Sequence, residues 1–186
     1  LLESRGLGDV YKRQHLMSSF KNAFEQNEIK ISQILLTLDD TEQRRRSINA
    51  RRTIDTLLKL GIVPIVNEND TIATTEIRYG DNDRLASRVA QISSSDCLIL
   101  LSNINGLYSA DPTNGEDIKL IPSVNEIDQD IEKMIGESIS KYGKGGMKTK
   151  IQAAKTAMLS GCHLAITNGS IMKPIRSLFE GRPCTW

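Results

Sequence analysis

The sequence predicts an α/β fold, a three-layer αβα sandwich whose central sheet is mostly parallel. Short apolar runs of strand length alternate with segments of helical periodicity, which is the order of elements in such sheets. One run, Leu98–Leu101, is apolar at every position, as expected of a strand covered on both faces. The length of 186 residues and the apolar fraction of 39% suit one domain with a hydrophobic core.

In the first half of the chain we predict two helices and two strands. Leu16, Phe20 and Phe24 are spaced by four and share one helix face, and a β-rich run follows at 29–36. A second helix runs to about residue 60, with Gly61 as its stop, before a buried strand at 62–66. The candidate N-caps of this second helix are Asp39, Asp40 and Thr41. Its expected apolar residues include Ile48, Ile54, Leu57 and Leu58.

In the second half a helix begins near Asp83, and a strand follows at 97–101. Turn signals such as Asn105-Gly106 mark the stretch 102–122 as rich in loops. A last helix, at about 149–160, precedes a strand at 163–167.

Residues 1–14 read differently from the rest of the chain. They mix glycine and basic residues without a clear period, and the string Gly-Asp-Val-Tyr-Lys-Arg-Gln resembles a translated cloning adapter. We therefore interpret 1–14 as a non-native segment and assign the domain to 15–186.

Composition argues against nucleic-acid and membrane partners. The net charge is +1, so no strong global field draws the chain to polyanions, and no apolar run approaches the roughly 20 residues that span a bilayer. The first residues also lack the apolar core of a signal peptide. The basic run Arg44–Arg46, with Arg51 and Arg52, is interpreted as a solvated helix face, since aromatic residues for base stacking are scarce.

The three cysteines, Cys97, Cys162 and Cys184, are widely spaced and odd in number. This pattern is neither a disulfide framework nor a zinc site. Cys97 lies in an apolar run, so we expect a buried thiol there, and the reducing cytoplasm is the expected compartment.

Three polar clusters fall where an α/β sheet binds ligands, beyond the carboxyl ends of strands. Asn67–Asp70 follows the 62–66 strand directly, and its four consecutive polar groups are more than a turn needs, with a solvated turn as the alternative. Gly80–Asp83 stands just before a helix, where Asp83 is also a candidate N-cap.

Gly143–Lys150 combines glycines, whose N–H groups can face an anion, with three lysines and a following helix. A flexible surface loop would look alike, and the segment is not a Walker A motif.

Taken in order, these motifs resemble the glutamate 5-kinases of the amino acid kinase family over about residues 15–186. The segments that carry the resemblance are Pro64–Asp70, Gly80–Asp83, Leu100–Ser102, Gly106–Pro112 and Gly145–Lys150. The resemblance implies the amino acid kinase fold and ATP-dependent phosphorylation of the γ-carboxylate of L-glutamate, the first step of proline biosynthesis. It also implies Mg²⁺ as a second cofactor, a homo-oligomer, and proline as feedback inhibitor.

The resemblance also assigns roles to single residues. Asp70 and Asn82 bind glutamate, and Asp83 organises the active-site lysines. Ser102 and Asn103 contact the nucleotide. The ATP loop consists of Lys144, Gly145, Gly146, Met147, Lys148, Thr149 and Lys150, with Lys150 as the transition-state lysine. We assign no protein ligands to the metal, because magnesium prefers phosphate oxygens and water to an all-protein cage.

Two departures from the family pattern affect these expectations. Asn103 stands where the family usually has Asp, so the nucleotide contact loses a charge. The family's amino-terminal part, with a glycine-rich turn and a catalytic lysine, has no match here, and neither does the RNA-modification-type domain that many relatives append. We therefore expect a domain that is incomplete at its amino terminus, and a chain that is weakly active or inactive alone.

Two other functions stay open at this point. One is another amino acid kinase with a carboxylate or phosphate acceptor, which a substrate panel would distinguish. The other is a non-catalytic module that binds an amino acid or a nucleotide without phosphoryl transfer.

Overall fold

The structure, a computed structural model, describes residues 2–69, 82–110, 118–137 and 146–186. In chain order the elements are α1 (Leu2–Glu25), β1 (Lys30–Leu36), α2 (Leu38–Glu42), α3 (Arg44–Lys59), β2 (Ile62–Glu68), α4 (Asn82–Ser93), β3 (Cys97–Ser102), α5 (Gln129–Glu137), α6 (Gly146–Leu159), β4 (His163–Asn168) and α7 (Pro174–Phe179). They belong to two compact units, Leu1–Leu85 and Ala86–Trp186. Strands alternate with helices and pair in parallel in each unit, which confirms the predicted α/β class.

In the first unit, β1 and β2 pair in parallel from Lys30 opposite Ile62 onward. Ile34 and Leu36, two residues apart on β1, are both buried in the core of this unit. Helix α3 packs against β2 and buries Ala50 and Ile54. The apolar face predicted for α3 is wrong at two positions: the side chains of Ile48 and Leu58 are 41% and 55% exposed.

The segment predicted as one helix ending near residue 60 forms two, α2 and α3. Gln43 separates them with an extended backbone conformation. The N-cap is Thr37, not the predicted Asp39, Asp40 or Thr41: the Asp40 carboxylate accepts hydrogen bonds from the Thr37 N–H (2.7 Å) and hydroxyl (2.6 Å). The predicted stop at Gly61 is confirmed by its φ of +70°.

Helix α1 carries the predicted Phe20–Phe24 pair on one face, with ring centroids 6.4 Å apart. It begins at Leu2 and so includes most of the segment that we interpret as non-native. Helix formation does not bear on the origin of a segment, so that interpretation stays a prediction. No helix in the described ranges is long and apolar enough to cross a membrane.

In the second unit, β3 and β4 pair in parallel, and α6 covers one face of the pair. Alternate strand residues, among them Leu100 and Ile166, pack there against small side chains of α6 such as Ala157. The other face is partly open on β3, where Leu101 is 49% exposed and Cys97 is exposed. The predictions of a strand covered on both faces and of a buried Cys97 are therefore wrong.

The last residues of the chain join three segments of the second unit. Thr185 pairs antiparallel with Ile166 through two backbone hydrogen bonds, of 2.8 and 3.0 Å. Trp186 exchanges backbone hydrogen bonds with Pro122 and Val124. Gly106 lies so close to this segment that a Cβ atom there would be 2.2 Å from Thr185 Oγ1, so only glycine fits at this position without displacing Thr185.

Candidate active site

The carboxyl ends of β3 and β4 meet at one edge of the sheet in the second unit. Ser102 and Asn168, the last residues of the two strands, are opposite each other in register. The half-buried Ser102 donates its hydroxyl proton to Asn103 Oδ1 (3.3 Å), and its carbonyl accepts a hydrogen bond from the Gly169 N–H (2.7 Å). The two residues predicted to contact the nucleotide thus lie at the ligand-binding edge of a parallel pair.

Helix α6 begins at the same edge. It runs back along β4, since only residues 160–162 connect the two and the Cys162 N–H donates to Ala157 O. The helix from Gly146 to Ala157 and the strand from His163 to Asn168 have nearly equal lengths. Each spans about 16 Å, because 11 residues of helix rise as far as five residues of strand. By these lengths the start of α6 is level with the ends of β3 and β4, so the described part of the predicted ATP loop lies toward the edge of the sheet that carries Ser102.

The first turns of α6 are unusually positive. Helices favour acidic side chains at the amino end, where the helix dipole is positive, but the first turn of α6 has none and carries Lys148, followed by Lys150. Lys148 is exposed and Lys150 is half-buried. Thr149 donates its hydroxyl proton to Gly146 O (3.1 Å), and Met147 packs into the core, which fixes this end of the helix. Such an arrangement is suited to a polyanion.

In the first unit, the described site residues lie at the end of β2 and the start of α4. The Asn69 N–H donates to Leu36 O (2.9 Å), which continues the β1–β2 pairing up to the predicted Asn67–Asp70 cluster. Asn82 is exposed and Asp83 is half-buried in the first turn of α4, where a carboxylate is favoured by the helix dipole.

Three predicted site residues, Asp70, Lys144 and Gly145, lie outside the described residues. The convergence of the acceptor-binding residues and the nucleotide-binding residues on one site therefore stays a prediction.

No group of three or more His, Cys, Asp or Glu side chains suited to a metal ion occurs within the described ranges. A magnesium ion brought in by a nucleotide is compatible with these residues, because Mg²⁺ takes most of its ligands from phosphate and water.

A cavity of about 370 Å³ in the second unit is separate from this edge. Its lining includes Met158, Cys162 and His163, at the amino end of β4, and none of the predicted site residues that the structure describes. Burial raises the pKa of the Cys162 thiol, and the neighbouring Cys97 and Asp96 raise it further. Cys162 is therefore held as a neutral thiol and is poorly suited to act as a nucleophile.

Sequence reasoning did not identify Asn168 and Gly169 as part of this edge. The signal in the sequence is an Asn-Gly pair directly after a predicted strand.

The sequence profile of the amino acid kinase family matches residues 10–168. The chain is 61% identical over 171 residues to the glutamate 5-kinase of Pelagibacter ubique (strain HTCC1062), covering 92% of this chain and 46% of that protein. It is 53% identical over 185 residues to the glutamate 5-kinase of Paramagnetospirillum magneticum (strain ATCC 700264 / AMB-1), covering 100% and 50%. The chain thus spans about half the length of the curated relatives it matches.

Solved structures share the fold at low sequence identity. UMP kinase from Ureaplasma parvum superimposes with a TM-score of 0.61 at 13% identity, covering 90% of this chain and 63% of that one. Isopentenyl phosphate kinase from T. acidophilum gives a TM-score of 0.59 at 14% identity, covering 92% and 65%. These likenesses establish the fold and say nothing about the substrate.

Proposed function

Because this chain belongs to the amino acid kinase family, we propose that the protein transfers the γ-phosphate of ATP to the γ-carboxylate of L-glutamate. The product is L-glutamate 5-phosphate, and the reaction is that of a glutamate 5-kinase in proline biosynthesis. Identities of 61% and 53% to two proteins of that name support this choice over another amino acid kinase.

The observation that carries the proposal is the positive start of α6 at the carboxyl edge of β3 and β4. A triphosphate bound there would meet the backbone N–H groups of the first helical turn, a helix dipole and the ammonium groups of Lys148 and Lys150. Ser102 and Asn103 end the neighbouring strand on the same edge and offer hydroxyl and amide groups to the nucleotide. Lys144 and Gly145 would complete the loop.

The chemistry needs charge neutralisation more than covalent help. A carboxylate that attacks a polyanion is repelled by it, and phosphoryl transfer depends on in-line positioning and on charge stabilisation. We assign Lys150 to the transferred phosphoryl group and Asp83 to the orientation of the lysines. Asp70 and Asn82 are assigned to glutamate binding, with the carboxylate of Asp70 facing the α-amino group. Bound Mg²⁺ would neutralise phosphate charge, held mainly by phosphate oxygens and water.

Three further expectations stay predictions: a homo-oligomer, feedback inhibition by proline, and a cytoplasmic location. The third is supported by the thiols of Cys97, Cys162 and Cys184, which are all free, as is usual in a reducing compartment.

The role of Lys150 is tested by Lys150→Ala in the purified protein with the family's amino-terminal part restored, because we expect the 186-residue chain to be weakly active or inactive alone. Loss of its ammonium group removes charge stabilisation from the transition state, so kcat falls by at least about 10³-fold. The measurement is glutamate-dependent ADP release, with L-aspartate and L-glutamine as comparison acceptors.

Lys155→Ala is the matched control, because Lys155 lies on the same helix but pairs with Glu132. We expect this variant to keep wild-type kcat. Near-normal turnover of Lys150→Ala would contradict the assigned role. Nucleotide binding without ADP release, even after the family's amino-terminal part is restored to the chain, would indicate a non-catalytic binding module.

A further inference from the structure

The turn that follows β4, formed by Asn168, Gly169 and Ser170, is bound to the end of β3. The Gly169 N–H donates to Ser102 O at 2.7 Å, one of the shortest backbone hydrogen bonds outside the helices and strands of the described residues. Asn168 Oδ1 in turn accepts a hydrogen bond from the Ser170 N–H (2.9 Å), which closes the turn. The turn therefore fixes the Ser102 carbonyl, which belongs to the peptide group between the end of β3 and Asn103.

Gly169 is at this position because the two backbones approach closely. A Cβ atom added to Gly169 would lie 2.8 Å from Leu101 Cβ and 3.6 Å from Leu101 Cα. Leu101 Cβ is attached directly to the β3 backbone, so it cannot move aside as the end of a flexible side chain could. The φ angle of Gly169 is not in the left-handed region, unlike those of Gly161 and Gly181, so backbone conformation is not the reason for a glycine here.

We propose that Gly169 is a positioning residue for the nucleotide: its missing side chain and its N–H fix Ser102 and Asn103 where ATP is bound. This inference rests on the proposed function. A side chain at 169 would push the end of β3 away from β4 and lengthen the hydrogen bond to Ser102 O. The hydroxyl and amide groups of Ser102 and Asn103 would then be displaced relative to the lysines of α6, and binding sites tolerate little displacement of this kind.

The test is calorimetric titration of the 186-residue chain with Mg·ATP in parallel with thermal unfolding. We expect Gly169→Ala to weaken ATP binding about tenfold. The matched control is Gly161→Ala, at the opposite end of β4: its positive φ of +75° costs stability, but no atom lies within 4 Å of the added Cβ. It should lose stability and keep its ATP affinity within about twofold of the wild type.

A double variant separates positioning from folding. Leu101→Gly removes the Cβ that an alanine at 169 would meet, so Gly169→Ala combined with Leu101→Gly should bind ATP more tightly than Gly169→Ala alone, by about fivefold.

The outcomes are distinct. Wild-type affinity in Gly169→Ala would overturn the positioning role and leave the proposed function standing. Equal losses of affinity in Gly169→Ala and Gly161→Ala, or a folded double variant that binds no better than Gly169→Ala, would also overturn it. A wild-type chain that takes up no ATP would instead count against the proposed function itself.

Discussion

A single hydroxyl group, that of Thr185, hydrogen-bonds to two backbone groups from distant parts of the second unit. Thr185 Oγ1 accepts a hydrogen bond from the Leu107 N–H (2.8 Å) and donates to Ile121 O (2.6 Å). The side chain is 4% exposed, so no water can readily replace these bonds. We expect Thr185→Val, which keeps the shape and removes the hydroxyl, to lower the free energy of unfolding by about 1–3 kcal/mol. Urea denaturation measures this change.

Thr185→Ser is the control, because serine keeps the hydroxyl group and loses only a methyl group. It should retain most of the stability that valine loses, and a valine variant as stable as the wild type would show that the two hydrogen bonds contribute nothing net.

At the level of single residues, the sequence points to side chains expected to carry chemistry but not to those that act by contact. A glycine-lysine loop, which is a local pattern, predicts Lys150, and the family resemblance predicts Ser102. Thr185 could not be found this way, because its partners lie 64 and 78 residues away. Gly169 is similar: only the pairing of β3 with β4 brings it against Leu101.

At the level of elements, the cap of α2 depends on one carboxylate. Asp40 accepts both the N–H and the hydroxyl proton of Thr37, three residues before it. Asp40→Ala removes the acceptor of the Thr37 N–H hydrogen bond, so we expect a loss of about 1 kcal/mol in the free energy of unfolding. Urea denaturation at constant pH is the appropriate measurement.

The neighbouring Asp39 provides the comparison for that loss. Its carboxylate lies 3.7 Å from the guanidinium group of Arg46. Both side chains are largely exposed, so this ion pair contributes little to stability. We expect Asp39→Ala to cost less than half as much as Asp40→Ala, and equal losses would argue against the capping role.

Elements with a strong period were predicted well, and their boundaries less so. β1 to β4 and α6 appear where apolar runs and helical spacing place them. The break at Gln43 was missed, although Thr37 and Asp40 have capping-box spacing, because Asp39, Asp40 and Thr41 offered competing caps. α5 and α7 were not predicted because each is short, with nine and six residues.

At the level of the whole molecule, the sequence determined the fold class and the family but not which strand faces are covered. Leu98–Leu101 is uniformly apolar, yet Leu101 is 49% exposed. The hydrophobicity of a residue indicates that its side chain gains by being buried. Whether it is buried depends on which helices pack against its face of the sheet. The same limit applies to the proposed active site: local motifs and the family resemblance name its expected residues, and whether they converge depends on tertiary packing.

The charge of the whole chain predicts its colloidal behaviour. The pI is about 7.9, so net repulsion between molecules vanishes near that pH, and apolar side chains such as Leu159 (89% exposed) and Met172 (85%) lie on the surface. We expect light scattering to show self-association that is greatest near pH 7.9 and falls toward pH 6, where added positive charge restores repulsion. Leu159→Lys removes an exposed apolar group and adds a charge, so it should reduce association at pH 7.9, whereas Ser160→Thr should not. Association that is independent of pH and unchanged in Leu159→Lys would point to a specific interface elsewhere on the surface.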